Sequence, residues 1–386
     1  MLNFSMYLRS WFNHILFRSV FGAQKWATKQ SSEFTVDGEE SDFETFLASA
    51  SAANAIARFR HDSVRFRRRQ DLNIDARGSC GPVNSVSWQP LGATSIDMDP
   101  LVVFSTIKDK ELRLCRVSEN GKNSHIEYSL KTPRGMTPSV IKFISESDIL
   151  ITNHTPNGRV AIYNIGKESS NVFSSIGGKL VVNPRFVECN SENVISIAFD
   201  NSRILNLDRR SKHFVSDVTL NNACVGMGWS NTDGCLHLGD EKSNIYQFDP
   251  RMNKFKSRYQ IDTTVSLSSF ALNREDLAAC GSPFGTVDIL NVSTSTNVPI
   301  VSFDRLVTEV DNLVFHPIHK TMLVASSADK KNALRVYECA NGRTLQGWPT
   351  ENEPIGRARD LSFSDCGRFF AVGCKSGRVQ MYATVL

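Results

Sequence analysis

From residue 81 onward the chain repeats itself, and that repeat limits what it can fold into more than any other feature. An apolar-alternating strand ending in an aromatic is followed by a turn, a small apolar strand, a polar turn and another alternating strand. The first-strand aromatics are Trp88, Phe143, Phe186, Trp229, Phe270, Phe315 and Phe363. The third strands end at Cys115, Tyr163, Leu207, Phe248, Leu290, Tyr337 and Tyr382, spaced 48, 44, 41, 42, 47 and 45 residues apart. From each aromatic to its third-strand end the interval is 27, then 20, 21, 19, 20, 22 and 19 residues, so it hardly varies after the first repeat. Short strands at a period of about 40–45 residues point to four-stranded propeller blades of WD type. Seven repeats make seven blades. None keeps the Trp-Asp dipeptide and the Gly-His dipeptide is missing, so periodicity carries the reading.

Closure of the ring gives a second constraint. The last third strand ends near Tyr382 and the sequence stops at Leu386, which leaves no room for an outer strand there. An unfilled edge exposes unpaired backbone groups, which native sheets avoid. Residues 64–74 precede the first blade, alternate partly, and are the expected closing strand. The predicted fold class is all-β: a single seven-bladed WD40-type β-propeller over 64–386, preceded at 1–63 by an interaction arm that is largely disordered or ordered by a partner.

The arm is blocked by charge. Residues 1–29 carry Arg9, Arg18, Lys25 and Lys29, no acid, and the aromatics Phe4, Trp11, Phe12, Phe17 and Phe21. That composition fits a segment that folds on a partner and, as the minority reading, a mitochondrial transit peptide. Residues 33–44 then hold six acids and no base. Ser41 and Glu44 have capping-box spacing and open an Ala-rich stretch with Phe43, Leu47, Ala50 and Ile56 near one face, which predicts a helix over about 43–57. Next come Arg58, Arg60, Arg65, Arg67, Arg68 and Arg69 against the single acid Asp62. With Phe59 and Phe66 among them, these arginines suit RNA or partner contact. They equally suit a closing strand with Phe66 turned inward and solvated guanidinium groups.

Chemistry is scarce. The eight histidines are dispersed, and His316-Pro317-Ile318-His319 falls at a strand-to-turn junction where a structural role is expected. Asp109, Asp240 and Asp249 sit in or beside turns, where carboxylates bond backbone amides. Gly177-Gly178 lacks the context of a phosphate loop. Nine cysteines include no CxxC pair, which argues against a zinc ribbon or disulfide scaffold and for a reducing compartment. No run approaches the roughly 20 apolar residues of a membrane helix. A net charge of +4 is too mild to announce nucleic acid by itself. No catalytic group, metal site or cofactor is expected, so binding is what remains.

Several stretches resemble the U3 small nucleolar RNA-associated protein 18 family. They are Leu306 to Pro317 with Leu323 to Ser327, Asn332 to Tyr337, Gly347-Trp348-Pro349, and Asp360 to Ser364 with Phe370 to Gly373. Gly81 to Val86, Asp109 to Leu114 and Cys280 to Ile289 are similar to that family as well. In the arm, Val20-Phe21-Gly22 resembles an element the family carries ahead of its acidic stretch. Glu33-Phe34-Thr35-Val36-Asp37 looks like the family's Leu-Phe-any-apolar-Asp motif, with Glu33 in place of the leucine. The resemblance implies a non-enzymatic scaffold of the nucleolar small-subunit processome, acting in pre-ribosomal RNA processing toward 18S ribosomal RNA. It implies other propeller subunits, the U3 particle and pre-ribosomal RNA as partners. It also implies docking of the exosome-associated RNA helicase through Phe34, Val36 and Asp37. The residues alone leave two other readings open: a generic WD-repeat adaptor such as a ubiquitin-ligase substrate receptor, and a mitochondrial propeller.

Overall fold

The structure is a computed structural model. It describes residues 65–73, 81–90, 100–107, 110–117, 125–153, 159–173, 183–190, 194–294, 297–345, 348–350 and 353–385. The predicted helix at 43–57 lies outside them, as do Asp109 and Gly177-Gly178. Seven four-stranded antiparallel sheets form seven blades of a propeller. Blades 1 to 6 span 83–131, 138–173, 184–219, 224–260, 269–303 and 312–344, each with its strands in chain order. Blade 7 takes three strands from 358–385, and its outermost strand is Arg65–Asn73. That strand pairs antiparallel with Arg378–Val385, from Arg65 opposite Val385 to Asn73 opposite Arg378, with a bulge between Arg68 and Gln70. The edge that the C-terminal strand would expose is therefore hydrogen-bonded.

Strand alternation explains the core. In each first strand, alternate side chains reach back to the preceding blade, so the buried apolar residues gather into seven clusters at the blade junctions. At the junction that closes the ring, Val86 and Trp88 of blade 1 pack on Phe369, Ala371, Val379 and Met381 of blade 7. Fully burying one such large apolar side chain contributes about 1.5–3 kcal/mol, so every junction depends on its first-strand residues.

Two of the aromatics expected at this position are elsewhere. In blade 3 the residue opposite the start of the second strand is Cys189, and Phe186 lies three residues earlier. Odd spacing puts Phe186 on the other face, against the cluster shared with blade 4. In blade 5 the position holds Leu272, and Phe270 lies two residues earlier, still facing blade 4. The third-strand residues fall inside third strands throughout, and Tyr337, Tyr382 and Phe248 are among the largest fully buried side chains.

The turn aspartates bond as short carboxylates do. Asp240 Oδ1 accepts the backbone N–H groups of Lys242 at 2.9 Å and Asn244 at 2.8 Å, and Oδ2 accepts from Asn222 Nδ2 at 2.9 Å and the Tyr246 hydroxyl at 3.1 Å. Asp249 accepts from the Arg251 N–H at 2.9 Å and faces Lys256 Nζ at 3.0 Å.

Candidate functional site

The first strands of all seven blades line one central cavity of about 340 Å³. Several of its polar groups join neighbouring blades. Asn84 Nδ2 donates to the Pro138 and Ser139 carbonyls at 2.8 and 2.7 Å, tying blade 1 to blade 2. Lys142 Nζ meets Glu188 Oε1 at 2.6 Å and the Val187 carbonyl at 3.1 Å, tying blade 2 to blade 3. The Ser269 hydroxyl donates to the Val310 carbonyl at 2.7 Å. The Val86 N–H donates to Asp360 Oδ2 at 2.7 Å, tying blade 1 to blade 7.

Asp360 opens partly to channel water but is ringed by protein. Burial pushes its carboxyl up to about 6, against the pull of the Val86 and Leu361 N–H groups and of Lys142. Burial lowers the Lys142 ammonium, but Glu188 more than offsets it and the net shift is upward. These groups are struts between blades, each already bonded, and they leave no nucleophile beside a base.

His316 confirms the structural role expected of it. Its Nδ1 accepts the Ile318 and His319 N–H groups at 3.2 and 2.9 Å, so Nε2 carries the proton donated to the Gly367 carbonyl at 3.0 Å. A second proton would have to sit on Nδ1, facing two N–H donors. The ring is 1% exposed, and burial is the first cause holding its pKa down at about 4. The unfolded value is about 6.5, so the neutral ring stabilises the fold above that pH, and this contribution is lost as pH falls toward 4. Asp360 has the opposite sign, because its raised value favours the folded state as pH falls through about 6. The two partly cancel in wild type. His316→Asn removes one of them and should cut the stability lost between pH 7 and 4.5 by about 2 kcal/mol. Urea unfolding of both proteins at each pH checks this; equal losses would show that the ring does not titrate in this window.

Among the described residues no group of three or more His, Cys, Asp or Glu is placed to hold a metal ion. Burial is the leading cause that pushes the Cys189, Cys224 and Cys339 thiols up to about 12, which keeps them protonated.

Of the arginines singled out by sequence, the structure describes three side chains. Arg65 and Arg67 are exposed on the closing strand and Arg68 is half-buried, while Phe66 between them is buried and stacks on Trp348 with ring centroids 4.2 Å apart. Phe34, Val36, Asp37, Arg58 and Arg60 lie outside the described residues, as does the Arg69 side chain. Sequence reading missed a second basic group. Arg305, Arg335 and Arg343 line one cleft of about 700 Å³ together with Ser302, Asp304 and Trp348. Their spacing follows from blade geometry, and no local motif marks it.

The described residues form a seven-bladed β-propeller with a central channel and a cleft on its flank. No family model matches the chain. By sequence it is similar to U3 small nucleolar RNA-associated protein 18 homologues. It is 27% identical to that of Mus musculus over 182 residues, 46% of this chain and 33% of that protein. It is 32% identical to that of Saccharomyces cerevisiae over 124 residues, 31% of this chain and 21% of that protein. The Homo sapiens homologue is 25% identical over 182 residues, 46% of this chain and 33% of that protein. The matched stretches thus span a third or less of these relatives. In fold, the chain is similar to one in a crystal structure of the mitotic checkpoint complex, with a TM-score of 0.63 and 16% identity, covering 83% of this chain and 93% of that one. At that identity the likeness concerns the fold alone.

Proposed function

We propose that this chain is a non-enzymatic scaffold of the nucleolar small-subunit processome, acting in pre-ribosomal RNA processing toward 18S ribosomal RNA. The observation that carries the reading is its similarity to relatives named for association with U3 small nucleolar RNA. Several polar groups of the channel are engaged in blade-to-blade bonds, which fits a scaffold. Its partners on this reading are other propeller subunits, the U3 particle and pre-ribosomal RNA, and its compartment is the nucleolus. The arm recruits the exosome-associated RNA helicase, with Phe34 and Val36 as apolar anchors and Asp37 as the charged contact. A short apolar pair with a carboxylate on an acidic segment is a compact linear epitope.

One pull-down tests both levels. The tagged chain and its Phe34→Ala variant are recovered from nuclear extract and probed for U3 RNA, pre-ribosomal RNA and the helicase. Wild type should enrich all three over an unrelated propeller, and the variant should lose the helicase while keeping U3 RNA. Absence of U3 RNA, with ubiquitin-ligase subunits in its place, would remove the processome reading. Undiminished helicase on the variant would remove only the docking motif.

A further inference from the structure

The cleft holding Arg305, Arg335 and Arg343 opens on the outer flank of the ring, where the outer strand Val301–Phe303 of blade 5 leads toward blade 6. Its charge is unbalanced: three guanidinium groups against the single carboxylate of Asp304. Arg305 and Arg343 are exposed and make no ion pair among the described residues. Arg335 spends one nitrogen on the Asn332 and Leu334 carbonyls, at 3.3 and 2.7 Å, and a guanidinium has five donors in all. Elsewhere on the ring Lys142, Arg209, Lys256 and Lys320 each face a carboxylate. Three cations held together without that compensation repel one another, and an anionic ligand removes the cost.

The far wall of the cleft is Trp348, half-buried and stacked on Phe66 of the closing strand. Side chains two apart on a strand share a face, so Arg68 extends the positive potential past Trp348 from blade 6 to blade 7. Arg68 is already bonded within the protein and adds charge here, not a free donor. Cations spread over successive blades with an aromatic between them match a strand of phosphates bearing bases. A phosphorylated peptide would also need an open apolar pocket for its neighbouring side chains. Of the other apolar groups of the cleft, Phe303 is buried and stacked on Tyr337 at 4.3 Å, and Leu345 packs against the cluster between blades 6 and 7.

We propose that this flank binds the sugar-phosphate backbone of single-stranded RNA, with Arg305, Arg335 and Arg343 on successive phosphates and Trp348 as the surface for a base. The choice of RNA rests on the processome reading.

The test uses the purified full chain and a fluorescent single-stranded oligouridylate of about 12 nucleotides, within the usual site sizes, read by anisotropy across a salt series. Three phosphate contacts predict a log–log salt slope of about −2, at 0.7 per contact for single strands. Arg305→Glu/Arg343→Glu should reduce that slope by about 1.4 and weaken binding about 25-fold at 0.1 M salt. Both residues are exposed and make no ion pair among the described residues, and Arg343→Glu would set a carboxylate opposite Glu338 across the strand pair, so the unfolding temperature should fall only slightly. Arg305→Lys/Arg343→Lys keeps the charge and should retain most of the binding. Arg210→Glu/Lys212→Glu on blade 3 should have no effect on binding. Wild-type affinity and slope in the Glu variant would overturn the proposal, and so would a phosphopeptide that binds the cleft when RNA does not. A U3 particle that still co-purifies with the Glu variant leaves the scaffold reading intact, because protein contacts can hold the particle.

Discussion

Deleting residues 65–73 should abolish the cooperative unfolding of the whole ring. This strand is the outer edge of blade 7, and without it Arg378–Val385 loses every partner on that side. Among the described side chains of the strand, Phe66 is the buried one. It is 7% exposed, stacks on Trp348 with an interplanar angle of 17° and meets Phe370 edge-on at 5.8 Å. It belongs to the same cluster as Tyr382 and Phe363, which joins blade 7 to blade 6. Phe66→Ala alone should cost about 3–5 kcal/mol, the range for truncating a buried phenylalanine. That is a large part of the 5–15 kcal/mol that typically holds a domain together. Phe66→Leu, which keeps much of the volume, should fall well below it. Urea unfolding followed by circular dichroism decides the matter. A deletion variant that melts with wild-type cooperativity would mean that the strand decorates the ring instead of closing it.

The blades were legible in the sequence because each one must bury two faces with alternating side chains, and that requirement recurs at the blade period. The role of one particular residue was less legible. Phe186 satisfies the expected spacing, yet Cys189 occupies its position, because the junction between blades 2 and 3 obtains its aromatic volume elsewhere. Phe173 and Phe214, both on outer strands, meet edge to face at 6.1 Å and pack on that cluster. Volume at a junction can come from either end of the blade, and strand periodicity does not say which. Turn residues were readable for a local reason: Asp240 and His316 each accept backbone N–H groups within four residues of themselves, beside their distant partners Asn222 and Gly367. The cleft arginines were not readable, because Arg305, Arg335 and Arg343 meet only after one blade has folded beside the next. The candidate RNA arginines divide the same way, with Phe66 inward and Arg65 and Arg67 outward as strand alternation requires.

Phe270, set two residues early in its strand, should make Gly239→Ala destabilising. A Cβ built on Gly239 would lie 2.9 Å from the Phe270 Cβ and 3.0 Å from its Cγ, so the displaced ring occupies the space an ordinary side chain would take. Overpacking of this kind typically costs about 1–3 kcal/mol. Gly226 faces the same residue in a different way, since its Cβ would fall 2.3 Å from the Phe270 carbonyl oxygen and 2.9 Å from its nitrogen. Both glycines lie in blade 4, whose first strand runs against that of blade 5. The difference between side chain and backbone gives a sharp test. Phe270→Ala removes Cγ and the ring but keeps the Cβ at 2.9 Å and the backbone, so it should relieve Gly239→Ala in part and leave Gly226→Ala as harmful as before. In a double-mutant cycle Gly239→Ala with Phe270→Ala should therefore cost less than the sum of the two singles by about 0.5–1 kcal/mol, at the low end of the range for residues in contact. Gly226→Ala with Phe270→Ala should be additive. Gly166→Ala, where the added methyl meets only Asn164 Oδ1 at 3.7 Å, sets the baseline for a glycine with room. Additivity at Gly239 would mean that blades 4 and 5 separate instead of clashing. Blade 4 would then carry its glycines for a reason unrelated to the position of Phe270.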